Sequence, residues 1–187
     1  MSKENRICDW AENSKIEREY HDNEWGIPNH DDRYLFEMLI LEGAQAGLSW
    51  SIILKKRNEY KKAFDNFEPS KVAKYDIKKK EELLKNKGII RNRRKIESAI
   101  NNAIRFLEVQ EEFGTFDKYI WSFTNGKQVI NQWTDTTSIP SSSDLSKSIS
   151  KDLKKRGFTF VGEVIIYSYL QAIGIIDDHL IYCRKNR

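Results

Sequence analysis

The stretch LKKRGFTFVG at residues 153–162 decides the fold that the sequence predicts, because it joins two helical segments through a short turn with a glycine at each end. Before this stretch, apolar residues recur every fourth position after Asp144, a candidate helix cap, and cations followed by Gly157 end the pattern. After the turn, residues 161–172 are mostly apolar, which is typical of a buried helix. The sequence therefore predicts two helices joined by a tight hairpin.

The other strong periodicities along the chain are also helical. The aspartate pair at 31–32 is a candidate cap for one helix and Ser49 for the next, while residues 91–112 form a long amphipathic pattern that ends near Gly114. Residues 176–184 are expected to form a short terminal helix. Period-two alternation bounded by turns is scarce. These patterns predict an all-α protein.

The composition is that of a globular protein with moderate charge. The 187 residues are 39% hydrophobic and 32% charged, with a mean hydropathy of −0.68 and a net charge of +4. These values fit a single domain over 1–187 and exclude a disordered chain and a strongly basic DNA binder. No apolar run reaches bilayer length, and residues 1–10 lack the apolar stretch of a secretion signal. We therefore expect a cytoplasmic protein with no membrane partner.

Two cysteines and two histidines near the chain ends are the right residue types for one metal site. His179 and Cys183 are four residues apart in the expected terminal helix, so both side chains should project from one face. Cys8 and His21 can complete a tetrahedral Cys2His2 set, and four protein ligands indicate a structural zinc ion. The alternative is a buried cysteine and an unrelated histidine, and spacing alone does not separate the two. The third histidine, His30, fits a surface position.

The hairpin is also a candidate for binding a phosphate backbone. A helix that begins just after Gly162 presents free backbone N–H groups, and the two bracketing glycines, Gly157 and Gly162, allow close approach. Lys155 and Arg156 add positive charge to the same edge, and a second basic cluster lies at 91–95. Such a surface binds DNA without reading its sequence. An ordinary capped corner between two helices is the alternative.

Aromatic and acidic residues are concentrated at two places in the N-terminal part of the chain. The segment YHDNEWG at 20–26 combines aromatic, acidic and amide side chains, and Glu42 ends an apolar run eight residues before Trp50. A carboxylate in such a run is partnered, exposed or functional. Aromatic faces and one carboxylate suit a flat cationic ring. Core packing is the alternative for any single tryptophan, and a surface position at a helix end is the alternative for Glu42.

Taken together, these motifs resemble the DNA-3-methyladenine glycosylase I family of base-excision repair. The resemblance runs in order from Cys8 to Cys183 and rests on YHDNEWG at 20–26, LFEMLILEG at 35–43, AGLSW at 46–50, GIIRNRRKI at 88–96, WSF at 121–123, LKKRGFTFVG at 153–162 and the H-x3-C pair at 179–183. It implies a largely helical, two-lobed fold of the helix-hairpin-helix glycosylase superfamily, with the hairpin near residues 160–162.

The resemblance also implies which residues form a base pocket. Family members use a glutamate, a tyrosine and a tryptophan there, which match Glu42 as the catalytic residue and Tyr20 and Trp50 as base-binding residues. Trp10 and Ser168 match positions that line the pocket.

A metal ion and a DNA contact are implied in the same way. The single structural zinc ion of the family has four ligands, which match Cys8, His21, His179 and Cys183. Leu48 would lie close to the gap that an extruded base leaves in the duplex. Two positions depart from the family: Glu17 stands where some relatives carry an aromatic residue, and Ala44 stands where a glutamine is common. The first departure makes one pocket wall more polar.

The implied reaction is hydrolytic release of 3-methyladenine from alkylated double-stranded DNA, after the damaged base is flipped out of the helix. No lysine nucleophile is implied, so we expect no strand cleavage, and we expect a monomer associated with the bacterial nucleoid. Two other classes stay open. A non-catalytic DNA-binding module would bind alkylated DNA without releasing a base, and a zinc-dependent hydrolase would need an open coordination position.

Overall fold

Helices make up nearly all the regular structure in the computed structural model, which describes residues 6–185. Its α-helices in that range are α1 Lys15–Asn23, α2 Asp32–Gln45, α3 Trp50–Ala63, α4 Pro69–Val72, α5 Ile77–Lys85, α6 Arg93–Phe113, α7 Phe116–Ser122, α8 Asp144–Lys155 and α9 Glu163–Ala172. Three 3-10 turns lie at Asp9–Glu12, Asp65–Phe67 and Thr136–Ser138. Two short strands, β1 Val129–Ile130 and β2 Ile176–Asp177, pair in parallel. The predicted all-α class is confirmed.

The caps set the helix boundaries much as the sequence indicates. Asp31 accepts a hydrogen bond from the Tyr34 N–H at 2.8 Å and so starts α2, and α6 ends at Gly114 with a φ of +86°. The prediction that Asp144 caps α8 is wrong by one residue. Ser143 is the cap, in a reciprocal pair of hydrogen bonds with Ser146, and Asp144 lies in the first turn, where its charge favours the helix dipole.

The predicted terminal helix over 176–184 is wrong. The chain turns sharply at Gly174, whose φ is +75°, and then runs extended through β2, because the Val129 and Asn131 N–H groups donate to the Ile175 and Asp177 carbonyls. A turn at 181–184 follows. Pairing with a strand almost fifty residues earlier in the chain therefore overrides a local helical pattern.

The central helix α2 is buried from Leu35 to Ala44 and packs against α3, α6, α7 and α9. Apart from Glu37 and Glu42, this buried stretch is apolar on all sides, which is the pattern of a helix inside a core. Phe106 of α6 and Phe116 of α7 stack at 4.1 Å between ring centroids and pack beside Phe36 of α2. Glu42 is therefore carried on the most enclosed helix of the described chain, which fixes its position firmly.

The helix-hairpin-helix unit consists of α8, the turn at 157–162 and α9, which pack against each other. The turn is tied to its surroundings by polar side chains. Ser150 donates to the Val161 carbonyl at 2.6 Å, and Asn102 exchanges two 2.9 Å hydrogen bonds with the backbone of Thr159. The hairpin is thus a rigid corner with defined backbone geometry.

No helix within residues 6–185 combines the length and apolar character needed to cross a bilayer. Residues 1–5, which form half of the stretch inspected for a secretion signal, lie outside the described range.

Gly174 offers a test of the turn that ends α9. A Cβ at this position would overlap the Ile27 carbonyl group and the Pro28 nitrogen, and the φ of +75° is unfavourable for other residues. We expect Gly174→Ala to lower the free energy of unfolding by roughly 3 kcal/mol or more. Gly126→Ala is the matched control, because its φ is +71° but nothing lies within 4 Å of its Cβ position. Equal losses by urea denaturation would contradict the proposed steric cause.

Candidate functional site

One cavity of about 370 Å³ collects the predicted pocket residues. Trp10 from the first 3-10 turn, Tyr20 from α1, Glu42 from α2, Trp50 from α3 and Ser168 from α9 all line it. The other lining residues are Glu17, Trp25, Gln45, Thr136, Ile139 and Gln171. Elements from both ends of the sequence therefore converge on one opening, whose volume suits a single purine ring system.

Four aromatic rings, those of Trp10, Tyr20, Trp25 and Trp50, line the cavity. Tyr20 and Trp50 lie 5.3 Å apart between ring centroids at an angle of 58°, and Trp10 meets Trp25 edge-on at 5.0 Å. Each ring packs partly against the core and is held by its neighbours. Ring faces fixed in this way attract flat ligands by stacking, and attract cationic ligands further through their quadrupoles.

Glu42 is the buried carboxyl group of this cavity. It is only 3% exposed, and no group among residues 6–185 donates a hydrogen bond to it. Because burial penalises the charged form, the pKa of Glu42 rises to about 8. Burial also raises the pKa of the neighbouring Tyr20 well above its ordinary value, so its hydroxyl keeps its proton. An unsatisfied carboxyl group beside a phenol is poised for a cationic or hydrogen-bonding ligand.

A second cluster lies behind the pocket, where the two ends of the chain meet. Cys8, His21 and Cys183 are buried, and their ligand atoms all lie within 4.8 Å of one another. His21 Nε2 is 3.4 Å from Cys183 Sγ. Hydrogen bonds from the Cys8 thiol and from His21 hold the pKa of Cys183 well below its ordinary value, which favours the thiolate. These three residues could hold a metal ion.

His179, the expected fourth ligand, lies next to this cluster but outside the group of three. Its ring centroid is 4.8 Å from that of His21, and its Nδ1 is 2.6 Å from Asp177 Oδ1. The expectation that His179 and Cys183 share a helix face is wrong, because His179 lies just after β2 and Cys183 lies in the turn that follows. Both residues still lie beside the N-terminal segment, since the Leu180 N–H contacts Cys8 Sγ at 3.5 Å and the Arg184 N–H donates to the Arg6 carbonyl at 2.9 Å.

The hairpin residues differ in how open they are to solvent. Lys155 and Gly157 are exposed, and Gly162 caps α9 without any side-chain cap, so the first N–H groups of α9 face outward from the corner. Arg156 is placed differently. Its guanidinium bonds Glu112 at 2.6 Å and Asp152 at 2.8 Å, so its charge is already neutralised and the expected phosphate contact competes with these ion pairs.

Leu48 lies in the turn between α2 and α3. Lys95 of α6 donates to the carbonyls of Ala44 and Ala46 at 2.7 and 2.8 Å, and Gln45 donates to the Leu48 carbonyl at 3.3 Å. These bonds cap the C-terminus of α2 and fix the shape of the turn. The basic cluster at 91–95 therefore has a structural task here, besides any contact with a phosphate.

Comparison with known proteins settles the family. A family model described as methyladenine glycosylase matches residues 10–186, nearly the whole chain. The chain belongs to the methyladenine glycosylase family. It is 45% identical to DNA-3-methyladenine glycosylase 1 of Escherichia coli K12 over 176 residues, which is 94% of each protein.

Two further similarities agree with this membership. The DNA-3-methyladenine glycosylase of Haemophilus influenzae is 44% identical over 176 residues, covering 94% of this chain and 95% of that protein. Among solved structures, a variant of 3-methyladenine DNA glycosylase I in complex with 3-methyladenine superposes with a TM-score of 0.93 at 36% identity, covering 97% of each chain. The fold and most of the length are therefore shared.

Some residues that line the cavity are not predicted from the sequence. Gln171 follows Ser168 by three positions on α9, so helical spacing from Ser168 could have found it. Thr136 and Ile139 come from a loop with no periodic pattern, and nothing in the sequence marks them. His30, expected on the surface, is exposed and bonds Asp117 at 2.6 Å.

Proposed function

We propose that the cavity around Glu42 is the base pocket of a DNA-3-methyladenine glycosylase, an enzyme that hydrolyses the N-glycosidic bond of 3-methyladenine in alkylated DNA. The observation that carries the assignment is a buried carboxyl group with no partner in the described chain, surrounded by aromatic faces in a cavity of about 370 Å³. Methylation at N3 gives the base a positive charge. A cationic ring is the ligand that satisfies both the carboxylate and the aromatic walls.

The lesion reaches the pocket by flipping out of the duplex, which costs less for a damaged base than for a normal one. Trp50 then stacks on the extruded ring, while Glu42 and Tyr20 bind its edge, and Trp10 and Ser168 close the walls. The charged base is already a good leaving group, so water completes the reaction. No lysine is among the described residues that line the cavity, and we therefore propose a monofunctional glycosylase without strand cleavage.

DNA is held by the helix-hairpin-helix corner and by the turn before α3. We propose that Gly157, Gly162 and Lys155 contact phosphates through backbone N–H groups and charge. Leu48, on a turn braced by Lys95, fills the gap left by the extruded base. Arg156 adds positive charge to the same edge as Lys155, where a phosphate would compete with its ion pairs to Glu112 and Asp152.

One zinc ion fits the cysteine and histidine cluster. The donor set of two thiols and two imidazoles is the set that tetrahedral zinc prefers, and it leaves no open position for catalysis. Nδ1 of His21 and Nδ1 of His179 each contact an aspartate, at 2.9 and 2.6 Å, an arrangement that orients metal-binding imidazoles. When bound, the ion would cross-link the two ends of the chain.

The remaining proposals follow from the reaction. Chromosomal DNA as substrate places the enzyme in the bacterial cytoplasm at the nucleoid. A single damaged base requires only one active site, so we propose a monomer that consists of one glycosylase domain of two helical lobes over residues 1–187.

The decisive experiment is chromatography of the bases released from methylated double-stranded DNA. We expect 3-methyladenine in the supernatant, no strand breaks, and continued release for some time after a chelator is added. Binding to alkylated DNA with no released base would indicate a non-catalytic module instead. Immediate loss of turnover on chelation would indicate a catalytic metal ion.

A further inference from the structure

Asp178 is a fully buried carboxylate that accepts four hydrogen bonds. Its partners are neutral side chains: Asn131 Nδ2 and Trp133 Nε1 at 2.7 Å to Oδ1, and Tyr167 Oη and Gln171 Nε2 at 2.6 Å to Oδ2. The four donors come from the loop after β1 and from α9, and no cation pairs with this group among the described residues. Every lone-pair direction of the carboxylate is therefore used.

This arrangement fixes the orientation of the Gln171 amide. A carboxylate can only accept hydrogen bonds, so the NH2 end of the amide must face Asp178 and the carbonyl Oε1 must point away from it. No group among residues 6–185 donates to that oxygen. Gln171 also lines the base cavity, next to Ser168 on the same face of α9. The cavity wall thus has a hydrogen-bond acceptor, Gln171 Oε1, whose orientation is set by Asp178 at the other end of the amide.

We propose that Gln171 is a specificity-determining residue, which accepts a hydrogen bond from the 6-amino group of the extruded purine, and that Asp178 is its positioning residue. This inference rests on the proposed function. While a 3-methyladenine base is bonded to its sugar, its only N–H donors are on the 6-amino group, and that group has two hydrogens. Glu42 and Gln171 can therefore each accept one.

The consequence is discrimination at position 6 of the ring. A 6-oxo purine such as 3-methylguanine presents an acceptor there, which would face the acceptor oxygen of Gln171. The carboxylate at 178 prevents the amide from turning its NH2 end toward such a base. The structure therefore assigns this pocket to 6-amino lesions. A 6-oxo lesion is disfavoured because its O6 atom and Gln171 Oε1 would face each other with no hydrogen between them.

The test compares two lesions in one sample. Wild-type protein and Gln171→Met, a variant of similar size that lacks the acceptor, are incubated with the same methylated DNA, and the rates of release of 3-methyladenine and 3-methylguanine are measured. We expect the ratio of the two rates to fall about 10-fold in the variant. A ratio equal to that of the wild type would overturn the proposal, including the case in which both rates fall together, as a purely structural role predicts.

Two further measurements keep the result decisive. Asp178→Asn allows the Gln171 amide to turn, so we expect the same ratio of release rates to fall. In the double variant this ratio should be no lower than in Gln171→Met alone. Binding of free 3-methyladenine and 3-methylhypoxanthine, followed by tryptophan fluorescence, reports the same preference if a variant releases too little base to measure. Wild-type protein that releases no 3-methyladenine would instead refute the proposed function.

Discussion

Glu42→Gln is expected to slow the release of 3-methyladenine from alkylated DNA by about 100-fold in kcat/KM. Glutamine fits the same space and still accepts a hydrogen bond, but it carries no charge to match the cationic base. In the apolar surroundings that raise the pKa of Glu42 to about 8, an opposite charge has a large effect. The measurement is single-turnover release of the base, followed by chromatography.

The pH dependence of the same reaction gives an independent check. The pKa of Glu42 is raised in the native protein, so ionisation of this group is incomplete below about pH 8. We expect kcat/KM to rise with pH until about 8 and then to level off, since the carboxylate is the form that attracts a cation. In Glu42→Gln this rise should be absent.

The stability of Glu42→Gln shows whether a loss of activity is caused by unfolding. A carboxyl group whose native pKa lies above its unfolded value stabilises the native state at low pH, and this contribution is lost as pH rises from about 4.5 to about 8. Glutamine does not titrate, so Glu42→Gln does not lose stability in this way as pH rises. At pH 8 the variant should therefore be at least as stable as the wild type. A variant that is stable and releases 3-methyladenine at the wild-type rate would show that Glu42 is not the catalytic residue.

Local patterns in the sequence were sufficient for most of the helices. The cap at Asp31, the end of α6 at Gly114 and the start of α9 after Gly162 all depend on neighbours within a few residues, and the structure has each of them. The convergence of Trp10 and Ser168 on one cavity is different, because 158 positions separate them in the sequence. Only the family resemblance brought these two residues together before the fold was known.

The features that sequence reasoning missed depend on distant partners. Residues 176–177, at the start of the expected terminal helix, instead pair with residues 129–130, and Arg156 is neutralised by Glu112, which lies 44 residues away. Neither partner can be inferred from periodicity. The sequence shows Gln171 only as a polar residue on an apolar helix. Its hydrogen bond to Asp178 is what reveals the orientation of its amide. Long-range pairing, rather than local preference, therefore decides which polar side chains are available to a ligand.

Removal of one proposed zinc ligand is expected to have the largest effect on stability. Cys8 and Cys183 are buried at opposite ends of the sequence, and a metal ion between them closes a loop of nearly the whole chain. We expect Cys183→Ser to reduce bound zinc from about one ion per chain to almost none, and to lower the free energy of unfolding by roughly 4 kcal/mol. Elemental analysis after dialysis and urea denaturation give the two values.

His30→Ala is the matched control for the histidines of this site. His30 is exposed and contacts Asp117 at 2.6 Å, so its removal should leave the zinc content unchanged and cost less than about 1 kcal/mol. His179→Ala tests the ligand that lies outside the group of three, and we expect it to weaken zinc binding strongly. Full zinc occupancy in His179→Ala would reduce the site to Cys8, His21 and Cys183. Full occupancy with unchanged stability in Cys183→Ser would show that Cys183 is not a ligand and would refute the proposed metal cross-link through this residue.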